Sequence, residues 1–484
     1  MQQLNPWDAA FLYGESRDAP MNICSVAHFS PGPDGQQLTL GEIRSAVARN
    51  LHKLPPFRQR VIHAPFGLTR PHWAEDPDLN VDGHLYAVSL PAPGDRGQLA
   101  EQVSLIAARQ LDLTRPLWEI HLITGLESGE TVMVTKFHHA AVDGGSAGEI
   151  MPILLDPAPD SAQTTVCELR QPGRLPGTGQ MLLRGLAGAA SYPLDVMHLQ
   201  QRMMSRLPHM LELIRAPGLE TGRRAPDNAE AVHRRDWQPP MFGAPRTPFN
   251  GRLSQNRCWT FGQVPLDQVK AIKNTFGGTV NDVVMAVCAA ALRQWLHGQG
   301  RLPGEPLVAM IPVSLRAAGD RGTFGNEVSM MMSALPTTVA DPVQRLRAAS
   351  AAAAAAKRMH SAMGGDFMSN ALRTVMPMLA APPSRLAAEM PVPNLPRYPA
   401  NLYISNVPGP PGPLYLAGKQ MLTFYPAAFL PKAMGLNMVV LSYSGRLNFG
   451  LMACPDLVTD VEGLMNHVLE AVNELTNAAE AAMY

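Results

Sequence analysis

Charge is scarce in this chain. Only 17% of its 484 residues are charged, and 40 basic side chains balance 40 acidic ones. A neutral chain exerts no global pull on nucleic acid, so a polyanionic partner is the first class set aside. Cysteine is scarcer still: Cys24, Cys167, Cys258, Cys288 and Cys454 are scattered and odd in number. With no Cys-x-x-Cys pair, neither a zinc cage nor a disulfide framework is indicated, and a reducing, cytosolic setting fits best. Long apolar runs are missing too. No stretch reaches the roughly 18 uninterrupted apolar residues that a membrane span needs. The opening MQQLNPWDAAFLYGES lacks the basic start and apolar centre of a secretory signal.

Apolar side chains are plentiful by contrast, at 46%. That supports a large core, and the length exceeds one ordinary domain, so two are expected. The 27 methionines outnumber the 14 phenylalanines. Most belong in the core, but methionine also makes adaptable apolar surface suited to floppy hydrophobic ligands.

Strand and helix patterns alternate in both halves. LTLGEIRSAVARNL opens with Thr39 three residues before Glu42, a capping box, and continues at helical spacing. GQLAEQVSLIAARQL reads as a second amphipathic helix, TVMVTKFHH as a half-buried strand and SAGEIMPILL as a helix. From Asp156 to about Gly179 the composition turns to Pro, Gly, Ser and Thr, as in a linker. Residues 181–215 read as apolar helices with basic patches, and a long proline-rich connection follows. In the second half, VPLDQVKAIKNTF and VNDVVMAVCAAALRQWL are helices, and EPLVAMIPVSLR and NEVSMMMSALP are strands. A helix capped by Asp341, with Pro342 in its first turn and Gln344 closing the box, comes next. NLYISNVPGP, MLTFYPAAF and a hairpin turning at Ser444–Gly445 are strands, and a helix with Val461, Leu464, Val468 and Val472 on one face ends the chain. The pattern is α/β with mixed sheets.

The densest chemistry lies in KFHHAAVDGGSAGEI, residues 136–150. Histidine titrates near neutrality and can take a proton from an alcohol or thiol and return it. Successive strand residues point to opposite faces, so His138 and His139 cannot both do the same job. One faces the reaction and the other the scaffold. Asp143 lies past the turn, where a carboxylate can orient an imidazole or anchor the turn through an arginine. Gly144 and Gly145 allow the sharp turn into the next helix. Taken alone, a His-His pair is more often a hydrogen-bonded buried pair at a strand end. Metal binding is disfavoured because adjacent strand histidines diverge and no third ligand stands nearby. Gly144, Ser146 and Gly148 spell G-x-S-x-G, the nucleophile-elbow signature. Ser146, however, lies nine residues beyond Phe137, the apparent strand end, so a small residue in a first helical turn is the stronger reading.

His138-His139-Ala-Ala-Val-Asp143-Gly144 resembles the H-H-x-x-x-D-G motif of CoA-dependent acyltransferases. More narrowly, the chain resembles the bacterial wax ester synthase/diacylglycerol acyltransferase family. DAAFLYGES followed by PMNI is similar to its N-terminal signature. Pro116-Leu117-Trp118 is similar to its P-L-W motif, and NDVVMA (Asn281–Ala286) to N-D-V-V-L-A with Met285 for Leu. SNVPGP, beginning Ser405-Asn406, also matches.

The resemblance implies two chloramphenicol-acetyltransferase-like domains with mixed sheets, 1–160 and 251–484, joined by a long helical linker, 161–250. It implies a tunnel between them, with acyl-CoA entering from one side and the alcohol from the other. Pro116, Leu117 and Trp118 are placed along that tunnel. His139 is the implied base, and Asp143 is structural, with Arg316 as its candidate partner. Asn281, beside Asp282, is implied near the active site, and a backbone N–H, Asn281 or Ser405 is the candidate oxyanion donor. Acyl-CoA is a co-substrate and no cofactor is held permanently. The expected partners are diacylglycerol and long-chain alcohols, with no nucleic acid. The expected location is the cytoplasm, peripheral at the inner membrane or lipid bodies, with the 181–215 helices carrying part of the affinity. Two alternatives stand beside this: a serine esterase using Ser146, and a lipid-binding surface protein with a decayed site. Intact His139, Asp143 and Gly144 argue against decay.

Overall fold

The computed structural model describes residues 1–142, 144–160, 175–187, 243–315, 328–364 and 396–483, with 197, 201, 326 and 372. The first half contributes helices α1 (Pro6–Gly14), α2 (Leu40–Asn50), α3 (Pro55–Arg58), α4 (Arg96–Ala108) and α5 (Gly144–Leu154). Its strands are β1 (Gln2–Gln3), β2 (Asn22–Phe29), β3 (Gln59–Ile62), β4 (His72–Glu75), β5 (Leu85–Ser89), β6 (Trp118–Thr124) and β7 (Thr131–His138). The second half contributes β8 (Cys258–Pro265), β9 (Leu307–Ser314), β10 (Val328–Leu335), β11 (Leu402–Val407), β12 (Tyr415–Leu416), β13 (Lys419–Ala427), β14 (Leu436–Tyr443) and β15 (Arg446–Ala453). Its helices are α6 (Leu266–Phe276), α7 (Val280–Gly298), α8 (Pro342–Met363) and α9 (Val461–Ala481).

Two six-stranded mixed sheets form the frame, in the orders β12-β13-β2-β7-β6-β5 and β10-β9-β11-β14-β15-β8, beside a small β1-β4-β3 sheet. In the first, β5 and β6 run parallel and the other pairs antiparallel. In the second, β11 runs parallel to both β9 and β14. The first sheet is not built from the first half alone. MLTFYPAAF forms most of β13, which pairs with β2 from Met421–Phe29 to Ala427–Cys24. A strand from late in the sequence thus crosses into the N-terminal sheet and ties the halves together. At the crossing, Gly450 of β15 lies so close to the Pro426 carbonyl of β13 that a Cβ there would collide with it, and Trp259 Nε1 donates to the same carbonyl at 3.0 Å. Glycine at 450 is what allows that approach.

Alternation along the strands sets the layers. In the second sheet Leu307, Ala309, Ile311, Leu402, Ile404, Met438 and Val440 pack under α7, α8 and α9. The in-between residues Pro312, Ser314, Tyr403, Ser405, Asn437 and Val439 point away from these helices. In the first sheet Ile120, Leu122, Met133 and Phe137 pack with α2 and α5, while Val26, Val132 and Val134 meet α4 together with Trp259 and Phe261 of β8.

The caps follow the sequence closely. Thr39 and Glu42 exchange both bonds of a capping box. At α8 the Asp341 side chain accepts from the Gln344 N–H, but no return bond from Gln344 is formed, so that box is half made. Ser444 and Gly445 both adopt positive φ in the two-residue turn joining β14 and β15. Val461, Leu464, Val468 and Val472 are all buried. Of the expected 181–215 helices, residues 178–187 are helical and most of the rest lie outside the described residues. Among the described residues no single helix is long and apolar enough to cross a membrane.

Candidate active site

Strand β7 is held between β2 and β6 and delivers two histidines at its end. His138 is fully buried. Its N–H donates to the Leu117 carbonyl at 3.1 Å, and its Nδ1 accepts the Ala140 N–H at 3.0 Å. An accepting Nδ1 places the proton of the neutral ring on Nε2, which stands 3.5 Å from Glu15 Oε2. This ring does not line the cavity on which its neighbour opens. It shapes the turn that follows.

His139 turns the other way. Its N–H donates to the Met21 carbonyl at 2.8 Å. Its ring stacks on Phe11 at 4.0 Å between centroids and meets the edge of Phe429 at 5.1 Å. It opens on a cavity in the crevice between the two sheets, of about 1140 Å³ including the open mouth. The walls come from Ile23, Cys24 and Ser25 of β2, Pro312 and Ser314 of β9, Val328 and Met330 of β10, and Tyr403, Ser405, Asn406 and Val407 of β11. Pro408, Ala428 and Phe429, with Phe424, Pro426 and Ala427 of β13 and Asn437, Val439 and Leu441 of β14, complete them. Such a space, apolar with a few polar groups, suits an acyl chain.

Burial holds two wall groups, Cys24 and Tyr403, toward their neutral forms. Burial pushes the Cys24 thiol up to about 12, with Lys136 opposing it, so no thiolate nucleophile sits beside His139. Burial likewise holds the Tyr403 hydroxyl well above its ordinary value, and that hydroxyl points at Met330 Sδ, 3.0 Å away.

The other expected site residues divide sharply. Ser405 and Asn406 lie on the cavity wall with His139. Asn281 and Asp282 do not: α7 covers the opposite face of the second sheet. Asp282, 5% exposed, accepts the Thr279 N–H at 2.8 Å and the Ser350 hydroxyl at 3.3 Å, closing a capping box at the start of α7. Pro116, Leu117 and Trp118 do not line this cavity either. Trp118 is fully buried between Phe57 and His84, and its Nε1 donates to the Phe57 carbonyl at 3.0 Å. The motif reaches the site through one main-chain bond, from the His138 N–H to Leu117. Gly144 opens α5, and Ser146 lies inside that helix, not at a strand-to-helix corner. Asp143 and Arg316 lie outside the described residues.

The structure adds residues the motifs do not name. Phe11 stacks on the His139 ring and Phe429 meets its edge, the two phenyl rings touching each other at 5.8 Å between centroids. Asn326 donates from Nδ2 to the His139 carbonyl at 2.7 Å and to Asp8 Oδ1 at 2.8 Å. Asp8 and Phe11 fall within the N-terminal signature, three residues apart on one helix face. Asn326 carried no readable signal, because its partners are about 190 and 320 positions away.

Comparison with known proteins agrees along the whole chain. The wax ester synthase/diacylglycerol acyltransferase catalytic domain matches residues 4–284, and the C-terminal domain of the same family matches 324–476. A Mycobacterium tuberculosis protein named as a diacylglycerol O-acyltransferase is 34% identical over 99% of this chain and 91% of its own. A second from that organism, with the same activity in its name, is 33% identical over 99% of each chain. The solved wax ester synthase/diacylglycerol acyltransferase from Marinobacter aquaeolei VT8 aligns with a TM-score of 0.67 and 25% identity, covering 99% of this chain and all of that one. The trichothecene 15-O-acetyltransferase from Fusarium sporotrichioides shares the fold, with a TM-score of 0.60 at 12% identity over 98% of this chain and 94% of that one.

Proposed function

The chain belongs to the wax ester synthase/diacylglycerol acyltransferase family and is an acyl-CoA-dependent O-acyltransferase, and from that premise we propose that it moves a fatty acyl group from acyl-CoA to diacylglycerol or a long-chain alcohol with His139 as general base. The observation that carries this reading is the division of labour in the histidine pair. His138 is sealed in the scaffold, while His139 opens on the apolar crevice between the sheets.

The chemistry follows from that position. An alcohol is a poor nucleophile at neutral pH, so His139 takes its proton as the oxygen attacks the thioester carbon. A positioned base contributes roughly 10²–10⁴-fold. The tetrahedral oxyanion needs donors, and Ser405 and Asn406 are the candidates on the wall, in place of Asn281. Collapse breaks the C–S bond. The CoA thiolate takes the proton back from His139, leaving ester and free CoA with no covalent enzyme intermediate. The apolar walls exclude water, which would otherwise hydrolyse the thioester.

The domain reading is two acyltransferase-like halves, 1–160 and 251–484, with 161–250 between. The proposed location is the surface of a membrane or lipid body. Leu183 and Leu186 are 70% and 53% exposed on the helix 178–187 and flank the exposed Arg184. Gly185 of that helix sits against Leu68, beside Phe66, which is 84% exposed. Exposed apolar side chains fringed by arginine support peripheral attachment to a membrane or lipid-body surface. The test is turnover by the purified protein with acyl-CoA and a panel of long-chain alcohols and diacylglycerol, read as release of free CoA thiol. Hydrolysis of acyl-CoA at the same rate without acceptor would sink the transferase reading.

A further inference from the structure

Helix α1 reaches His139 at two points. Phe11 stacks on the imidazole, and Asp8, one turn earlier, reaches the His139 main chain through Asn326. Asp8 is 3% exposed and Asn326 is 2% exposed. Asp8 Oδ1 accepts both the Asn326 main-chain N–H at 3.0 Å and its side-chain Nδ2 at 2.8 Å. The amide carries two hydrogens, and the other serves the His139 carbonyl at 2.7 Å. Asn5 Nδ2 donates to the Asn326 carbonyl at 3.1 Å and completes the ring of bonds. Asn326 stands two residues ahead of β10, so it belongs to the half that carries the second sheet.

We propose that Asp8 and Asn326 are a positioning pair for His139: they fix its main chain, and thereby the aim of its ring, and they do so only when helix α1 and the C-terminal half are docked. This rests on the reading of His139 as the base. Both main-chain polar groups of His139 are committed, the N–H to Met21 and the carbonyl to Asn326, and its ring is packed against two aromatics. A general base needs such restraint, because a displacement of about 1 Å can cost roughly 10²-fold in rate. The carboxylate supports the same view. Burial pushes Asp8 up to about 6, against the pull of the Asn326 hydrogen bonds. A buried acid held that close to neutrality opposes stability and is characteristic of functional sites. Its oxygens face donors from Asn326, Asn5 and Trp73, and none of these is a titratable group.

Three substitutions test the pair. Asn326→Ser keeps the main-chain N–H to Asp8 and deletes the amide that reaches His139. Asp8→Ala removes the acceptor, and Asp8→Asn keeps its shape without the charge. Each is assayed for kcat, for KM toward acyl-CoA and for thermal unfolding. Asn326→Ser and Asp8→Ala are expected to lower kcat by about 10-fold or more with KM nearly unchanged, because the base is misaimed while the cavity is intact. The double variant should be no slower than the worse single one, because the two act as one unit. Asp8→Asn should recover part of the rate. A folded Asn326→Ser protein with wild-type kcat overturns the proposal, as does a loss carried by KM or one that multiplies in the double variant. Should Asp8→Ala fail to fold, Asn326→Ser and Asp8→Asn decide the matter on the same criteria. An inactive wild-type protein would refute the His139 reading, and the pair with it, whereas an active wild type with unaffected variants refutes the pair alone.

Discussion

Asp8 should set a measurable part of the pH dependence of stability. Its carboxyl is raised from 3.8 to about 6 in the folded protein, chiefly by burial. The folded state therefore binds the proton more tightly than the unfolded chain does. Between about pH 4 and pH 6 the native state holds more protons, so stability falls as pH rises through that window and levels off above it. Roughly two pKa units correspond to about 3 kcal/mol between the plateaus. Asp8→Asn removes the titration. The stability of the variant relative to wild type should thus rise by about 2.4 kcal/mol from pH 4 to pH 7, whatever fixed offset the amide introduces. Denaturant unfolding of both proteins at pH 4, 5, 6 and 7 measures this difference directly. Parallel curves for the two proteins would refute the reasoning, and a difference that shrinks with rising pH would reverse its sign.

Three further outcomes are expected. Trp118→Ala should destabilise the fold by about 3–5 kcal/mol, the usual cost of emptying a buried aromatic site, and the fraction that remains folded should turn over near the wild-type rate; a stable variant with lost turnover would put Trp118 back at the substrate. Ser146→Ala should retain most activity, and a serine-reactive fluorophosphonate should not label the protein; stoichiometric labelling at Ser146 would favour the esterase. Phe66→Ser combined with Leu183→Asp and Leu186→Asp should weaken flotation with anionic liposomes while leaving turnover of a water-soluble acyl-CoA intact; unchanged flotation of this folded variant would move the attachment elsewhere.

Local patterns made most of the elements legible in the sequence. The Thr39 box, the Ser444–Gly445 turn and the apolar face of α9 depend on residues within a few positions of one another, and each formed as its spacing implied. The opposed faces of His138 and His139 follow from strand geometry alone. Long-range features were hidden. That MLTFYPAAF is a strand is a local fact; that it pairs with β2 across nearly 400 positions is not. The same gap hides the packing of Trp118 and Asn281. A motif marks residues that matter, but Trp118 acts by filling a buried slot between Phe57 and His84, and Asn281 stands at a helix start on the far face of a sheet. Asn326 was invisible because a single asparagine has no period, and its meaning comes from Asp8 and the His139 carbonyl.

The central claim, that His139 is the base and His138 its scaffold, is tested most directly by comparing His139→Ala and His138→Ala for CoA release from acyl-CoA and a long-chain alcohol, with folding of each checked by thermal unfolding. His139→Ala should fold normally and lose roughly 10²–10⁴-fold in kcat, the contribution of a positioned base. His138→Ala should be less stable, because it empties a fully buried site, and should keep most of its turnover per folded molecule. A folded His139→Ala enzyme that releases CoA at the wild-type rate, with a well-folded but inactive His138→Ala beside it, would contradict the account and reverse the assignment.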